Sequence, residues 1–450
     1  MNFPLSFNQE FICGFDRGDT EGPFGPRFHI VHGWRLRGSV DGPVLRAALG
    51  DVVARHEALR TVIARDEDPP HQRVLAPSPP ALEERHLPGL GAADRARAVE
   101  DLLIEAETGA VSARRAPLLR AVLARFDDED ALLVLAVHHT AADGWSVRIV
   151  IRDIAECYAA RRALGVPPRP VRQYREFAAR QRADATGPHA RRALDFWRDN
   201  LRGASAVSVP VDHPKSSGRP EATAIHRFAI GADVVAPALE LGRAHRCTPF
   251  MVFMAAFKLF LHRREGVTDL VVPTFSPGRE DEDFHRTVGL FFNYLPLRTD
   301  LSHCGSFRDV LERVRRSCLT AYAHDTPFMR VVGVADGLMD RTLEDGRAAC
   351  VFQVFPFPHL LDGEQVGDVE YSEVRRRLRS QPIGSDVPNG ALWTLNLDPA
   401  GDVVAAVQYN SNLFDESTIA EAARDYTRVL REVVRDPDAP PVRVSRGRVR

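Results

Sequence analysis

The stretch VLAVHHTAADGWSVRIVI, residues 134–151, places two adjacent histidines at the end of an apolar run, with an aspartate and a glycine close behind. Residues 131–137 are wholly apolar and follow the acidic residues 127–130, which predicts a buried strand. Residues 140–144 are small and polar and suit a tight turn. From Trp145 the period changes, because Val147, Val150, Ile151, Ile154 and Tyr158 recur on one face of a helix. Successive strand side chains point to opposite faces, so His138 and His139 cannot both look into one cavity. One is expected to be structural and the other exposed. The same divergence disfavours a metal site, whose paired histidines lie about a helical turn apart so that both reach one ion.

Outward from this segment, residues 28–38 (FHIVHGWRLRG) alternate Phe28, Ile30, His32, Trp34 and Leu36 as a strand does. Pro43 opens a helix carrying Leu45, Leu49, Val52, His56 and Leu59 on one side. The proline-rich residues 165–173 (GVPPRPVRQ) break the pattern and read as a linker. Beyond them, helices are expected at 248–262, with Thr248 as cap and Pro249 behind it, at 306–322 and at 416–434; strands are expected at 269–274 and 391–397. Strands and helices mix in both halves, so the class is α/β.

Composition narrows the function. The chain has 450 residues, 44% of them apolar, enough for a large core in two or three domains. A formal charge of −2 leaves no electrostatic footprint for nucleic acid. No apolar run approaches the roughly 20 residues of a membrane helix, and MNFPLSFNQE lacks the basic and apolar segments of a leader, so a cytoplasmic protein is expected. The six cysteines are scattered without a CxxC pair, as for free thiols in a reducing compartment.

HHTAADG resembles the HHxxxDG signature of the condensation domains of nonribosomal peptide synthetases, within the chloramphenicol acetyltransferase-like superfamily. Other segments follow in the family's order. RHEALRT (55–61) resembles its arginine motif, VGLFFNYLPLR (288–298) its G-x-F-x-N…R segment, and YREF (174–177) and HDTPF (324–328) two further motifs. There are departures: the opening SFNQEFIC keeps Ser6 and Gln9 of Ser-x-Ala-Gln-x-Arg-Leu-Trp but has Asn8, Phe11 and Cys13 elsewhere, and the usual Asn-Thr is Asn293-Tyr294. The family's late arginine-aspartate motif has no counterpart near Arg347 to Phe352. Epimerising relatives carry tryptophan just after the serine of DGxS, whereas here Trp145 precedes Ser146 and Val147 follows; heterocyclising relatives replace the histidines.

The resemblance implies two acetyltransferase-like lobes in a V shape around a central tunnel. They are expected at 1–170 and 191–450, joined by a linker at 171–190 and bridged near 381–390. It implies acyl or aminoacyl transfer from the phosphopantetheine thioester of a carrier protein to a hydroxyl or amine, giving an ester or amide in natural-product biosynthesis, with no bound cofactor or metal and a small-molecule acceptor. An acyl-CoA-dependent acyltransferase and an inactive carrier-recruiting domain are the alternatives. A start only a few residues before the first motif is expected for a free-standing enzyme, and the diverged opening and late motifs point to a soluble, non-peptidyl acceptor.

His139 is the catalytic residue by this resemblance, with His138 and Gly144 in the active-site motif. Asp143 is structural and paired with Arg298; Trp145, Ser146 and Asn293 are tunnel or substrate contacts. Arg55 and Arg60 are expected to hold the fold. EVRRRLRS (373–380) is a candidate docking patch for an acidic carrier, and RVSRGRVR (443–450) a disordered tail.

Overall fold

A computed structural model describes residues 2–355, 360–387 and 390–440, so the basic tail lies outside the described residues. Two mixed sheets carry the architecture. The six-stranded one runs in the order Glu364–Val366, Val369–Val374, His29–Arg37, Asp130–His138, Leu119–Asp127, Ala81–His86. Asp130–His138 is buried along its whole length, which is why its sequence is apolar rather than alternating. The helix Gly42–Arg55 packs on Gly144–Arg161, and both cover one face of this sheet; Ala92–Thr108 covers the other.

The five-stranded sheet runs Ser208–Pro210, Arg347–Phe355, Gly390–Leu397, Val403–Asn410, Thr223–Ile230. Beside it stands a hairpin, Asp269–Ser276 with Asn293–Asp300. The helix Pro249–Glu265 is buried at every position from Met251 to His262, apolar all round because helices and strands surround it. Lys258 within it is fully buried, donating to Leu297 O at 2.5 Å and Thr299 Oγ1 at 2.8 Å, with burial pushing its pKa down to about 7. No described helix is long and apolar enough to cross a membrane, and all six cysteines are free.

Two features differ from expectation, in the helix after Pro43 and in two late strands. The helix opened by Pro43 stops at Arg55, and Glu57–Arg60 forms a 3₁₀ turn, because His56 turns inward onto Asp153. The strands Glu364–Val366 and Val369–Val374 leave the second half and join the first half's sheet beside His29–Arg37, so a boundary drawn by sequence position alone misplaces them. The segment expected to bridge, 381–390, pairs Gln381 with Ile225 and places Asp386 N 3.0 Å from Arg27 O; Pro388 and Asn389 lie outside the described residues. Both segments therefore touch the two halves of the chain.

The basic run 373–380 is held by internal pairs. Arg375 binds Glu373, Arg376 binds Asp402 at 2.9 Å, Arg377 binds Glu107, and Arg379 binds Asp101. Each of these arginines has a carboxylate partner within the fold, while Arg376 and Arg379 remain 42% and 48% exposed. Arg55 and Arg60 are spent similarly: Arg55 pairs with buried Asp153 at 2.6 Å, and Arg60 donates to the carbonyls of Val53 and Leu75.

Candidate active site

The two histidines leave the same strand end in opposite states. His138 is fully buried, and its Nε2 lies 3.1 Å from Gly25 O. A carbonyl only accepts, so Nε2 carries the proton; Nδ1 then accepts from Thr140 Oγ1 at 2.8 Å. Both nitrogens are satisfied, and burial pushes the pKa down to about 3. His139 is half-buried, and its Nδ1 donates to Ala142 O at 2.8 Å. Its Nε2 therefore carries a lone pair, and burial lowers its pKa below the ordinary histidine value. Phe28 stacks on one face at 4.9 Å, and Phe292 meets the ring edge-on at 5.1 Å. His139 is a neutral, clamped imidazole with one basic nitrogen to offer.

The turn behind it is fixed by Asp143. This residue caps the helix Gly144–Arg161, one oxygen accepting from Ser146 N at 2.7 Å and the other from Phe291 N at 3.2 Å. Arg279, not Arg298, supplies the counter-charge, with Nη2 3.2 Å from Asp143 Oδ1. The same guanidinium donates to Ser146 Oγ, Phe284 O and Thr287 O and lies 3.8 Å from the centre of the Phe291 ring. Arg298 stands on the hairpin's other end, bound to Asp269 at 2.7 Å and to Asn200 O. The expected Asp143–Arg298 pair is thus replaced, because the strand register puts Arg298 opposite Val271, far along the hairpin from the end next to Phe292.

Of the three expected tunnel or substrate contacts, Ser146 is corrected by its burial, while Asn293 and Trp145 are half-buried. Ser146 is fully buried, its hydroxyl donating to Gly289 O at 2.9 Å and accepting from Gly289 N and Arg279. Asn293 donates to Asp325 and Thr326 O and accepts from Phe328 N, which spends its amide on holding the 324–328 loop. Trp145 is half-buried and donates to His285 O at 3.2 Å. Gly144 opens the helix, and a Cβ there would meet, among the described residues, only Phe355 Cε1, at 4.0 Å.

The loop that carries Phe292 is itself braced by the other motifs. Tyr174 donates to Leu290 O at 2.6 Å and bonds with Ser6, and Asn8 donates to Phe291 O and Phe292 O. Gly289 is required there, since a Cβ would fall 2.0 Å from the Tyr174 ring. The opening segment, YREF and VGLFFN therefore converge on one loop, which sets Phe292 against His139. Arg279 was missed in the sequence. Its signal was the SPGRE turn leaving a strand, an arginine placed directly behind a proline and a glycine.

The sequence matches the Condensation domain family over residues 27–445. The chain is a member of the condensation domain family. Among relatives of this family, it is 35% identical over 454 residues to a probable non-canonical nonribosomal peptide synthetase, CymA, of Salinispora arenicola, covering 96% of this chain and 6% of that protein. It is 32% identical over 442 residues to the phosphinothricin tripeptide synthetase PhsC of Streptomyces viridochromogenes, covering 96% of this chain and 39% of PhsC. The chain thus spans a minor part of both relatives. The crystal structure of SgcC5 from Streptomyces globisporus superposes with a TM-score of 0.94 at 46% identity, covering 97% of this chain and 100% of that one. That structure is a complex with (R)-(-)-1-(2-naphthyl)-1,2-ethanediol and sucrose. The X-domain from teicoplanin biosynthesis gives 0.76 at 27% identity, covering 98% of this chain and 97% of that one. Condensation domains solved at lower identity share the same chloramphenicol acetyltransferase-like α/β fold.

Proposed function

We propose that this condensation domain is an ester-forming acyltransferase of natural-product biosynthesis, acting in the cytoplasm. It moves an acyl or aminoacyl group from the phosphopantetheine thioester of a carrier protein to a small aryl-bearing alcohol, in a tunnel between two lobes, 1–170 and 191–450, joined by a linker at 171–190. The observation that carries this reading is the state of His139: neutral, held at Nδ1 by Ala142 O, and basic at Nε2. As the acceptor oxygen attacks the thioester carbonyl, its proton passes to Nε2. The tetrahedral oxyanion then collapses, the C–S bond breaks, and the departing thiolate takes the proton back from the imidazolium, leaving ester and free carrier thiol. General-base assistance of this kind is worth about 10²–10⁴-fold. The N–H of Gly144, first in its helix, is suited to hold the oxyanion, helped by the positive end of the helix dipole.

A hydroxyl acceptor is favoured over an amine because the SgcC5 structure, at 46% identity, holds an aryl diol. A partner-recruiting role finds its support in the complex of the X-domain with OxyB, at 26% identity. The test mixes the protein with a carrier-loaded acyl donor and either 1-(2-naphthyl)-1,2-ethanediol or the matching amino alcohol, following product by mass spectrometry. Ester is expected, with His139→Ala keeping less than about a tenth of the rate. Reaction only with amines, or only with a carrier-bound acceptor, overturns the reading. Equal rates with acyl-CoA move it to a CoA-dependent acyltransferase.

A further inference from the structure

Aromatic rings run without a break from the reactive imidazole into the second half's hairpin. Phe292 meets His139 at 5.1 Å, Phe275 meets Phe292 at 5.2 Å, and Tyr294 meets Phe275 at 4.4 Å. Register places Phe275 opposite Tyr294, so both stand on one face of the hairpin. His139, Phe275, Phe292 and Tyr294 are each half-buried, whereas Phe11 and Phe328, which back Tyr294 at 4.9 and 5.6 Å, are buried. The front rings form a wall and the rear ones its support.

Tyr294 carries the sole hydroxyl in this series, and it bonds to nothing among the described residues; burial alone raises its pKa. Tyr158, Tyr174 and Tyr426 have their hydroxyls bonded to protein groups; Tyr322, Tyr371 and Tyr409, like Tyr294, show no such bond among the described residues, and of these four it is Tyr294 that stands in the aromatic series from His139. Tyr294 also meets Phe292 directly at 6.2 Å, so a polar tip is set at the far end of an apolar wall, one ring away from His139.

We propose that this wall seats an aryl ring of one substrate, with the reacting carbon at His139 and a hydrogen-bonding ring substituent, such as a phenolic hydroxyl, on the Tyr294 hydroxyl. The reading deepens the aryl assignment above and rests on it. A site built to pair with a substrate hydroxyl discriminates strongly against the analogue that lacks it, because its own polar group is then left unpaired.

The test compares the naphthyl diol with and without a ring hydroxyl, and in a second arm a carrier-loaded arylacyl donor with and without one, using wild type and Tyr294→Phe. The ring hydroxyl is expected to raise kcat/KM by about tenfold or more in one arm, which identifies the substrate. Tyr294→Phe should erase that gain, so that the hydroxylated and plain substrates are used with the same kcat/KM. The same pairs, the donors as pantetheine thioesters, are titrated by calorimetry into His139→Ala protein with and without the Tyr294 change. This reads recognition even where no ester forms and so separates failure of the aryl site from failure of the transfer reaction. No gain from the hydroxyl in either arm, or equal losses for plain and hydroxylated ligands, overturns the proposal.

Discussion

Asp143 and Arg279 face each other across the turn behind His139, 3.2 Å apart, with side chains 8% and 2% exposed. A buried pair that loses one partner leaves the other charge without solvent, and such losses typically cost about 3–5 kcal/mol. Asp143→Ala and Arg279→Ala are expected to lower the thermal midpoint sharply and to weaken expression. The Arg298–Asp269 pair is more exposed, 26% and 38%, and solvent-screened pairs contribute about 1 kcal/mol or less. Arg298→Ala should therefore be the milder variant. Thermal unfolding of the three proteins checks the order, and an Arg298→Ala protein less stable than Arg279→Ala would contradict it.

Gly144 separates stability from activity. Since a Cβ there would meet, among the described residues, only Phe355, at 4.0 Å, none of them needs the glycine, and alanine at a helix start costs nothing in propensity. Gly144→Ala is expected to keep its unfolding midpoint within a degree or two by a circular dichroism melt. In the proposed reaction its methyl group would stand where the substrate approaches the first helical N–H, so turnover should fall by about tenfold or more, up to the roughly 10²–10³-fold seen when an oxyanion donor is removed. Unchanged turnover would remove Gly144 from the reaction.

Much of this site is legible in the chain. The apolar run, the small turn and the change of period locate His139 at a strand exit, and strand parity already assigns different surroundings to His138. What is not legible is which distant group meets which. Arg279 and Arg298 both flank the hairpin, and only its register shows that the former reaches Asp143. Ser146 reads as a polar residue near the site, but the Asp143 cap turns its hydroxyl inward, where Arg279 and Gly289 take it up. The strand Val369–Val374 has a readable alternation, yet its partner, His29–Arg37, lies hundreds of residues earlier. Local pattern gives the element, and the long-range partner comes from packing.

Glu107 ties the two halves of the chain. From the helix Ala92–Thr108 it accepts from Arg227 of Thr223–Ile230 at 2.6 Å and from Arg377, which follows the strand Val369–Val374. The carboxylate is 10% exposed and Arg227 4%, so Glu107→Gln leaves two guanidinium groups with little solvent. A loss of about 3–5 kcal/mol is expected in urea unfolding. Arg379→Ala, on a guanidinium 48% exposed, should cost about 1 kcal/mol or less and serves as control. Equal effects would deny Glu107 its part in joining the halves.

Acid should act on this protein twice, and the two effects can be told apart. Burial lowers the pKa of His139 below the ordinary 6.5, and in the proposed reaction the imidazole can take the acceptor's proton only while neutral. The log of kcat/KM should therefore be flat near neutrality and fall with unit slope below an inflection that lies under 6.5. Stability follows the same sign through His138. In the unfolded chain it titrates near 6.5, in the fold near 3, so between those values the unfolded state binds the extra proton. Its contribution is complete above about 6.5 and drains away as pH falls, at up to about 1.4 kcal/mol per pH unit for one proton. His29 and His56, also lowered by burial, add to this slope. His138→Asn tests the assignment: urea midpoints measured from pH 7 down to pH 5 should fall less steeply than in wild type, while the inflection in kcat/KM, which belongs to His139, stays in place. An inflection that moves with His138 would transfer the proton-accepting role away from His139.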